Sequence, residues 1–151
     1  MEILIILNNL APWMNCFNGD CLFCKLSKDK QNMVLENEHV FVLLDRFPLS
    51  DEHFLIIPKT HVAFMHELEN VYLEEIIKMI KYLVKRLKIT KYNIVNNNQF
   101  YQIIFHVHFH LVAANESGNF RNPEPLKLTD DEYDSMVSKY QKKLFTSLEE
   151  N

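Results

Sequence analysis

Five consecutive residues, His106-Val107-His108-Phe109-His110, put an imidazole at every second position of a run that stays apolar through Leu111 and Val112. Side chains of a strand alternate between faces, so the three histidines share one face and Val107, Phe109 and Leu111 share the other. One face of this segment therefore needs a core, and the other lines up three imidazoles within about 13–14 Å, at 3.3–3.4 Å per residue. Imidazole has an unperturbed pKa of about 6.5, so at cell pH it is mostly neutral yet easily protonated. It can be nucleophile, general acid or phosphate donor, and His-x-His on a strand also supplies adjacent ligands in zinc and non-haem iron sites. A lone histidine on an apolar strand is usually a satisfied core residue. Three in alternation are not accounted for that way.

The surrounding pattern predicts an α+β fold. Val40 to Leu44 and Phe54 to Ile57 read as a hairpin-like antiparallel pair around the turn residues Pro48, Ser50 and Asp51. Leu73, Ile76, Ile77, Ile80, Leu83, Val84 and Leu87 recur at helical spacing, with Glu74 and Glu75 early and Lys85, Arg86 and Lys88 late, as the helix dipole favours. Strands are predicted over Tyr92 to Val95 and Gln102 to Ala113. Thr129 and Glu132 form a capping-box pair ahead of a closing helix faced by Tyr133, Met136, Val137, Tyr140 and Leu144. The expected architecture is a largely antiparallel sheet of about five strands, one long helix packed on it, and short helices at the two ends. Residues 1–20, with Asn8, Asn9, Pro12, Asn15 and Asn18, read as a peripheral appendage, and residues 21–151 as one domain.

Composition narrows the chemistry. The 151 residues include only 2 glycines, Gly19 and Gly118, at opposite ends of the chain. A dinucleotide fingerprint needs three clustered glycines and a Walker loop two, so phosphate must be met by side chains or a helix end. A net charge of -4 with interspersed signs argues against nonspecific binding to nucleic acid or membrane. Glu2 and the short apolar run Ile3 to Leu7 do not make a signal peptide or a membrane span, so an intracellular, cytoplasmic protein is expected, with the nucleus as an alternative. Three cysteines do not build a disulfide framework. Cys21-x-x-Cys24 alone leaves a redox pair, a zinc half-site and coincidence open.

The triad and its two following apolar residues resemble the signature of the histidine triad (HIT) family. Cys21-Leu22-Phe23-Cys24-Lys25-Leu26 is similar to the opening helix of the zinc-containing bacterial-type, Hint-like branch. Leu43-Leu44-Asp45 followed by His53-Phe54-Leu55-Ile56-Ile57-Pro58-Lys59-Thr60-His61 is similar to the family's central hairpin. The resemblance implies a homodimer that binds a purine nucleotide or nucleoside phosphoramidate and cleaves a nucleoside 5'-monophosphate from its leaving group through a nucleotidyl-histidine intermediate. It implies His108 as nucleophile, His110 and Gln102 beside the phosphate, Asp45 at the ribose, Leu22, Phe23, Leu26 and Leu44 around the base, and Asn96 near phosphate or ribose, with Asn97 serving equally under a one-residue shift. It also implies a structural zinc held by Cys21, Cys24, His61 and His106.

The chain departs from the pattern just before the triad. Tyr101 stands where the family places glycine, and Ile103 where it places a polar residue. Asn97 or Asn98 is expected to take over the turn, because asparagine tolerates positive φ. The departures keep two other readings open: a nucleotide-binding dimeric module with little turnover, and a dinucleoside polyphosphate hydrolase.

Overall fold

The computed structural model describes residues 21–114 and 127–145; the expected appendage, residues 1–20, lies outside them. Helix α1 (Leu22–Leu26) is followed by β1 (Leu35–Glu36), β2 (Val40–Leu44), β3 (His53–Pro58), helix α2 (Asn70–Arg86), β4 (Tyr92–Asn96), β5 (Phe109–Ala113) and helix α3 (Asp130–Phe145). The five strands form one sheet in the order β1-β2-β3-β5-β4, and every pairing is antiparallel. The α+β architecture with its long helix is the one the sequence predicts. Among the described residues no helix is long and apolar enough to cross a membrane.

Every residue of β2 and β3 is buried, because both faces of the sheet are covered. Val40, Val42, Leu44, Phe54, Ile56, Val107, Phe109 and Leu111 pack with Ile76, Ile80 and Leu83 of α2 and with Tyr133, Val137, Tyr140 and Leu144 of α3. Phe41, Leu43, Leu55 and Ile57 point the other way, toward Cys21, Phe23 and Met33. The alternation read in the triad thus holds in space: its apolar members lie on the helix-covered face. Ile77 departs from the expected apolar stripe of α2 and is 47% exposed. Thr129 and Glu132 do close a capping box, the Thr129 amide donating to Glu132 Oε2 at 2.8 Å and the Glu132 amide to Thr129 Oγ1 at 3.3 Å.

The strand expected over 102–113 forms a ladder only from Phe109 onward. Its partner β3 ends at Pro58, and the next pairing is displaced, with the Val107 amide donating to Val62 O at 2.8 Å. Proline has no N–H to continue a ladder, so the segment carrying His106 and His108 leaves the sheet while staying against it. The scarcity of glycine also surfaces in the backbone. Lys88 (φ 56), Gln99 (φ 62) and Tyr101 (φ 58) occupy the left-handed region, so Gln99 and Tyr101, not Asn97 or Asn98, take the positive φ before the triad. Each such non-glycine residue costs about 1–2 kcal/mol.

Candidate active site

A cavity of about 480 Å³ opens where α1, the end of β2, the 97–104 loop and the triad converge, and Tyr133 of α3 reaches it as well. Leu22, Phe23, Leu26, Leu43, Leu44 and Leu55 make one apolar part of its lining; Asp45, His108 and His110 supply polar groups. Phe23 meets two members of the triad edge-on, with ring centroids 5.8 Å from His106 and 5.1 Å from His108.

Backbone groups dictate where each imidazole carries its proton. A carbonyl only accepts, so His108 Nδ1, 2.7 Å from His106 O, is the N–H, and Nε2 keeps its lone pair. Burial pushes the His108 pKa down to about 4; the bond to the His106 carbonyl opposes this shift and nearby His110 adds to it. His108 Nε2 is therefore bare at neutral pH. His53 is fixed in the opposite sense: the Leu49 amide donates to its Nδ1 at 3.1 Å, so Nε2 bears the hydrogen. That hydrogen points to His110 Nδ1 at 3.0 Å, which leaves His110 Nε2 as the donor in its uncharged ring. His110 Nε2 is buried and hydrogen-bonded to nothing among the described residues. His108, with a bare nitrogen at Nε2, and His110, with an N–H at Nε2, thus both line one cavity, and a lone pair and a donor are what attack on phosphorus and stabilisation of its oxygens require.

Asp45 sits just beyond β2, with Oδ1 accepting from the Phe47 amide at 2.8 Å and Oδ2 3.3 Å from His53 Nε2. Burial works to raise its pKa, but His110, His53 and the Phe47 amide outweigh it, and the carboxylate stays below its ordinary range. Asp45, His53 and His110 are close enough to share a cation. The Leu49 amide argues against that use, because an uncharged imidazole that accepts at Nδ1 has no second lone pair at Nε2.

On the other side of His106, Cys21 Sγ and Cys24 Sγ lie 3.4 and 3.6 Å from its Nδ1, His61 Nδ1 lies 3.1 Å from it, and Cys24 Sγ is 3.4 Å from His61 Nδ1. His106 Nε2 donates to Pro58 O at 2.9 Å, which keeps Nδ1 bare and turned into the cluster. Burial pushes the His106 pKa down to about 4, with His61 and His108 adding to the shift. The three nitrogen–sulfur separations, 3.4–3.6 Å, match the roughly 3.5 Å edge of a tetrahedral metal site with bonds of about 2.3 Å to sulfur and 2.0–2.1 Å to nitrogen, and the 3.1 Å between the two imidazole nitrogens is slightly shorter than the corresponding edge of roughly 3.3 Å. The structure therefore brings together the four ligands expected from the sequence as a candidate metal site.

The expected base-slot leucines, Phe23, Asp45, His108 and His110 all border the cavity, whereas Gln102 and Asn96 do not. Gln102 Nε2 donates to Ala63 O at 2.7 Å and its Oε1 accepts from the Gln99 amide at 2.9 Å, so both ends of the side chain are spent bracing the loop. Asn96 Nδ2 donates to His108 O at 2.8 Å and holds the triad backbone; Asn97 is the asparagine that lines the cavity. Sequence reasoning missed the bond from His53 to His110, although the alternation of β3 puts His53 and Leu55 on one face, beside His110 of the neighbouring strand. It also missed Arg46, which lines the cavity, pairs with the Asp130 carboxylate, and lies 4.7 Å from the Tyr133 ring centroid.

The HIT domain model matches residues 27–117, and the chain belongs to the HIT family. It is 33% identical over 111 residues to the adenosine 5'-monophosphoramidase HNT1 of Candida albicans, covering 66% of this chain and 73% of that protein. It is 38% identical over 96 residues to the Schizosaccharomyces pombe adenosine 5'-monophosphoramidase hnt1, covering 61% of this chain and 72% of that one. The crystal structure of a histidine triad nucleotide-binding protein from Candida albicans superposes with a TM-score of 0.61 at 31% identity, over 85% of this chain and 96% of that chain.

The His53 arrangement carries a pH signature. Burial pushes its folded pKa down from the ordinary 6.5 to about 4, with Asp45 opposing the shift and His110 adding to it. The unfolded chain takes up the proton first, so the stability from a neutral His53 is complete above about pH 6.5 and is lost as pH falls toward 4. Urea titrations of the wild type and His53→Asn should show the wild-type advantage shrinking between pH 7 and pH 4.5. An advantage that stays constant contradicts the assignment.

Proposed function

We propose that the chain is a nucleoside phosphoramidase of the HIT family, with His108 as nucleophile and His110 as the donor to the phosphate oxygens. The observation that carries this reading is the bare His108 Nε2 beside the His110 N–H in one apolar-walled cavity. Nε2 attacks the phosphorus of a nucleoside 5'-phosphoramidate, the P–N bond breaks, and the amine leaves with its electron pair and takes a proton from solvent. Water then adds its oxygen to phosphorus, the P–Nε2 pair returns to His108, and the water's proton goes back to solvent. The products are a nucleoside 5'-monophosphate and a free amine. Leu22, Phe23, Leu26 and Leu44 offer the base an apolar slot, suited to a purine, and Asp45 stands ready to accept from ribose hydroxyls. The yeast relatives are adenosine 5'-monophosphoramidases, which supports the substrate class.

Cys21, Cys24, His61 and His106 would hold a structural zinc as a closed Cys2His2 set without an open coordination position. Bound there, zinc would tie α1 to the segment that carries the nucleophile and place the chain in the zinc-containing, Hint-like branch. A homodimer fits the edge strand β4, where Tyr92, Ile94 and Val95 remain exposed. Residues 21–151 would act as one domain in the cytoplasm or nucleus.

Incubation of the wild type and His108→Ala with adenosine 5'-phosphoramidate tests the nucleophile: the variant should lose roughly 10⁴-fold or more in rate. Equal rates remove the assignment, and no wild-type turnover with intact AMP binding favours a nucleotide-binding module. Metal analysis should find about one zinc per chain, and chelation should lower the thermal midpoint. A metal-free protein with unchanged melting contradicts the structural zinc.

A further inference from the structure

The loop before the triad holds three large apolar residues in the open: Phe100 is 75% exposed, Tyr101 79% and Ile103 57%. Burial in the domain does not explain them, and Tyr101 is held there at a backbone angle, φ 58, that glycine would adopt freely. The loop is nonetheless pinned. Gln102 bridges the Gln99 amide and Ala63 O, while Asn98 Oδ1 accepts from the Met65 amide at 2.7 Å and its Nδ2 donates to Asn96 Oδ1 at 2.6 Å. Strain kept in a braced loop at a site points to a side chain that is wanted where it stands. Tyr101 and Ile103 line the same cavity as His108, and the Phe100 ring meets Tyr101 edge-on with centroids 4.3 Å apart.

The direction of attack decides what these residues face. His108 lines the cavity and is 6% exposed, whereas Tyr101 and Ile103 line it from the exposed side. In-line displacement puts the leaving group opposite the attacking nitrogen, away from the buried histidine and so toward the exposed lining that Tyr101 and Ile103 supply. We propose that Tyr101, supported by Phe100 and Ile103, is an aromatic platform for the leaving group, and that the preferred substrates are phosphoramidates whose amine carries a flat aromatic ring. This rests on the phosphoramidase reading and adds the leaving-group class to it. A side chain that stacks on a flat ring favours aromatic over small amines, since a small amine leaves the ring face uncovered.

The test compares adenosine 5'-phosphoramidate with its N-(2-arylethyl) derivative as the ratio of their kcat/KM values, in the wild type, Tyr101→Gly and Tyr101→Phe. Glycine suits the left-handed backbone, so Tyr101→Gly removes the ring without adding strain. The wild type should favour the aryl substrate, Tyr101→Gly should reduce the ratio about five- to tenfold through KM, and Tyr101→Phe should preserve it. A ratio unchanged in Tyr101→Gly overturns the platform, as does an unchanged ratio with a lower mass by light scattering, which would assign the rings to contact between copies. If the wild type cleaves neither compound, the phosphoramidase reading fails separately, and calorimetric titration of His108→Ala and its Tyr101→Gly double variant with both compounds still decides the platform: equal affinities throughout overturn it.

Discussion

The site depends on backbone groups that leave each imidazole only one place for its proton. A carbonyl at His106 takes the Nδ1–H of His108, a carbonyl at Pro58 takes the Nε2–H of His106, and the Leu49 amide claims the Nδ1 lone pair of His53. Each bond is short and partly or fully buried, where an unmade bond would cost about 1–3 kcal/mol. The chemistry follows from these bonds: a lone pair on His108 toward the cavity, a lone pair on His106 toward the cysteines, and, through His53, a hydrogen on His110. Three histidines similar in sequence thereby differ in what each can offer: a lone pair beside two thiols, a lone pair at the cavity, and an N–H.

His106 joins two parts of the fold. Its ring meets Cys21, Cys24 and His61, while its carbonyl orients His108, so the candidate metal site and the cavity share one residue. Phe23 reinforces the link by packing on both rings from α1. The departure of this segment from the ladder at Pro58 makes the junction feasible: released from strand pairing, it lies close enough to α1 for the cysteines to reach it. A fully continuous strand over 102–113 would have spent its polar backbone groups on ladder bonds.

Much of this was readable from periodicity. Alternation at 106–112 separated core from site, and the stripe of α2 and the box at Thr129 and Glu132 marked helices; the grouping of Cys21, Cys24, His61 and His106, which the fold brings together as a candidate metal site, followed from the resemblance to the HIT family. What escaped depends on contacts between distant segments or on side-chain direction. Nothing local to Gln102 says that both ends of its amide are used by Gln99 and Ala63, and Asn96 and Asn97 differ only in which way each points. The pairing of His53 with His110 is a register effect across β3 and β5. The positive φ at Tyr101 was hidden because the sequence offered asparagines nearby that tolerate it better.

The central claim concerns proton positions, which long-range ¹H–¹⁵N correlation spectra of the histidine side chains read directly. At neutral pH the account predicts His108 protonated on Nδ1 alone and His53, His106 and His110 on Nε2 alone. His108 protonated on Nε2, or an interconverting mixture at that residue, would contradict it.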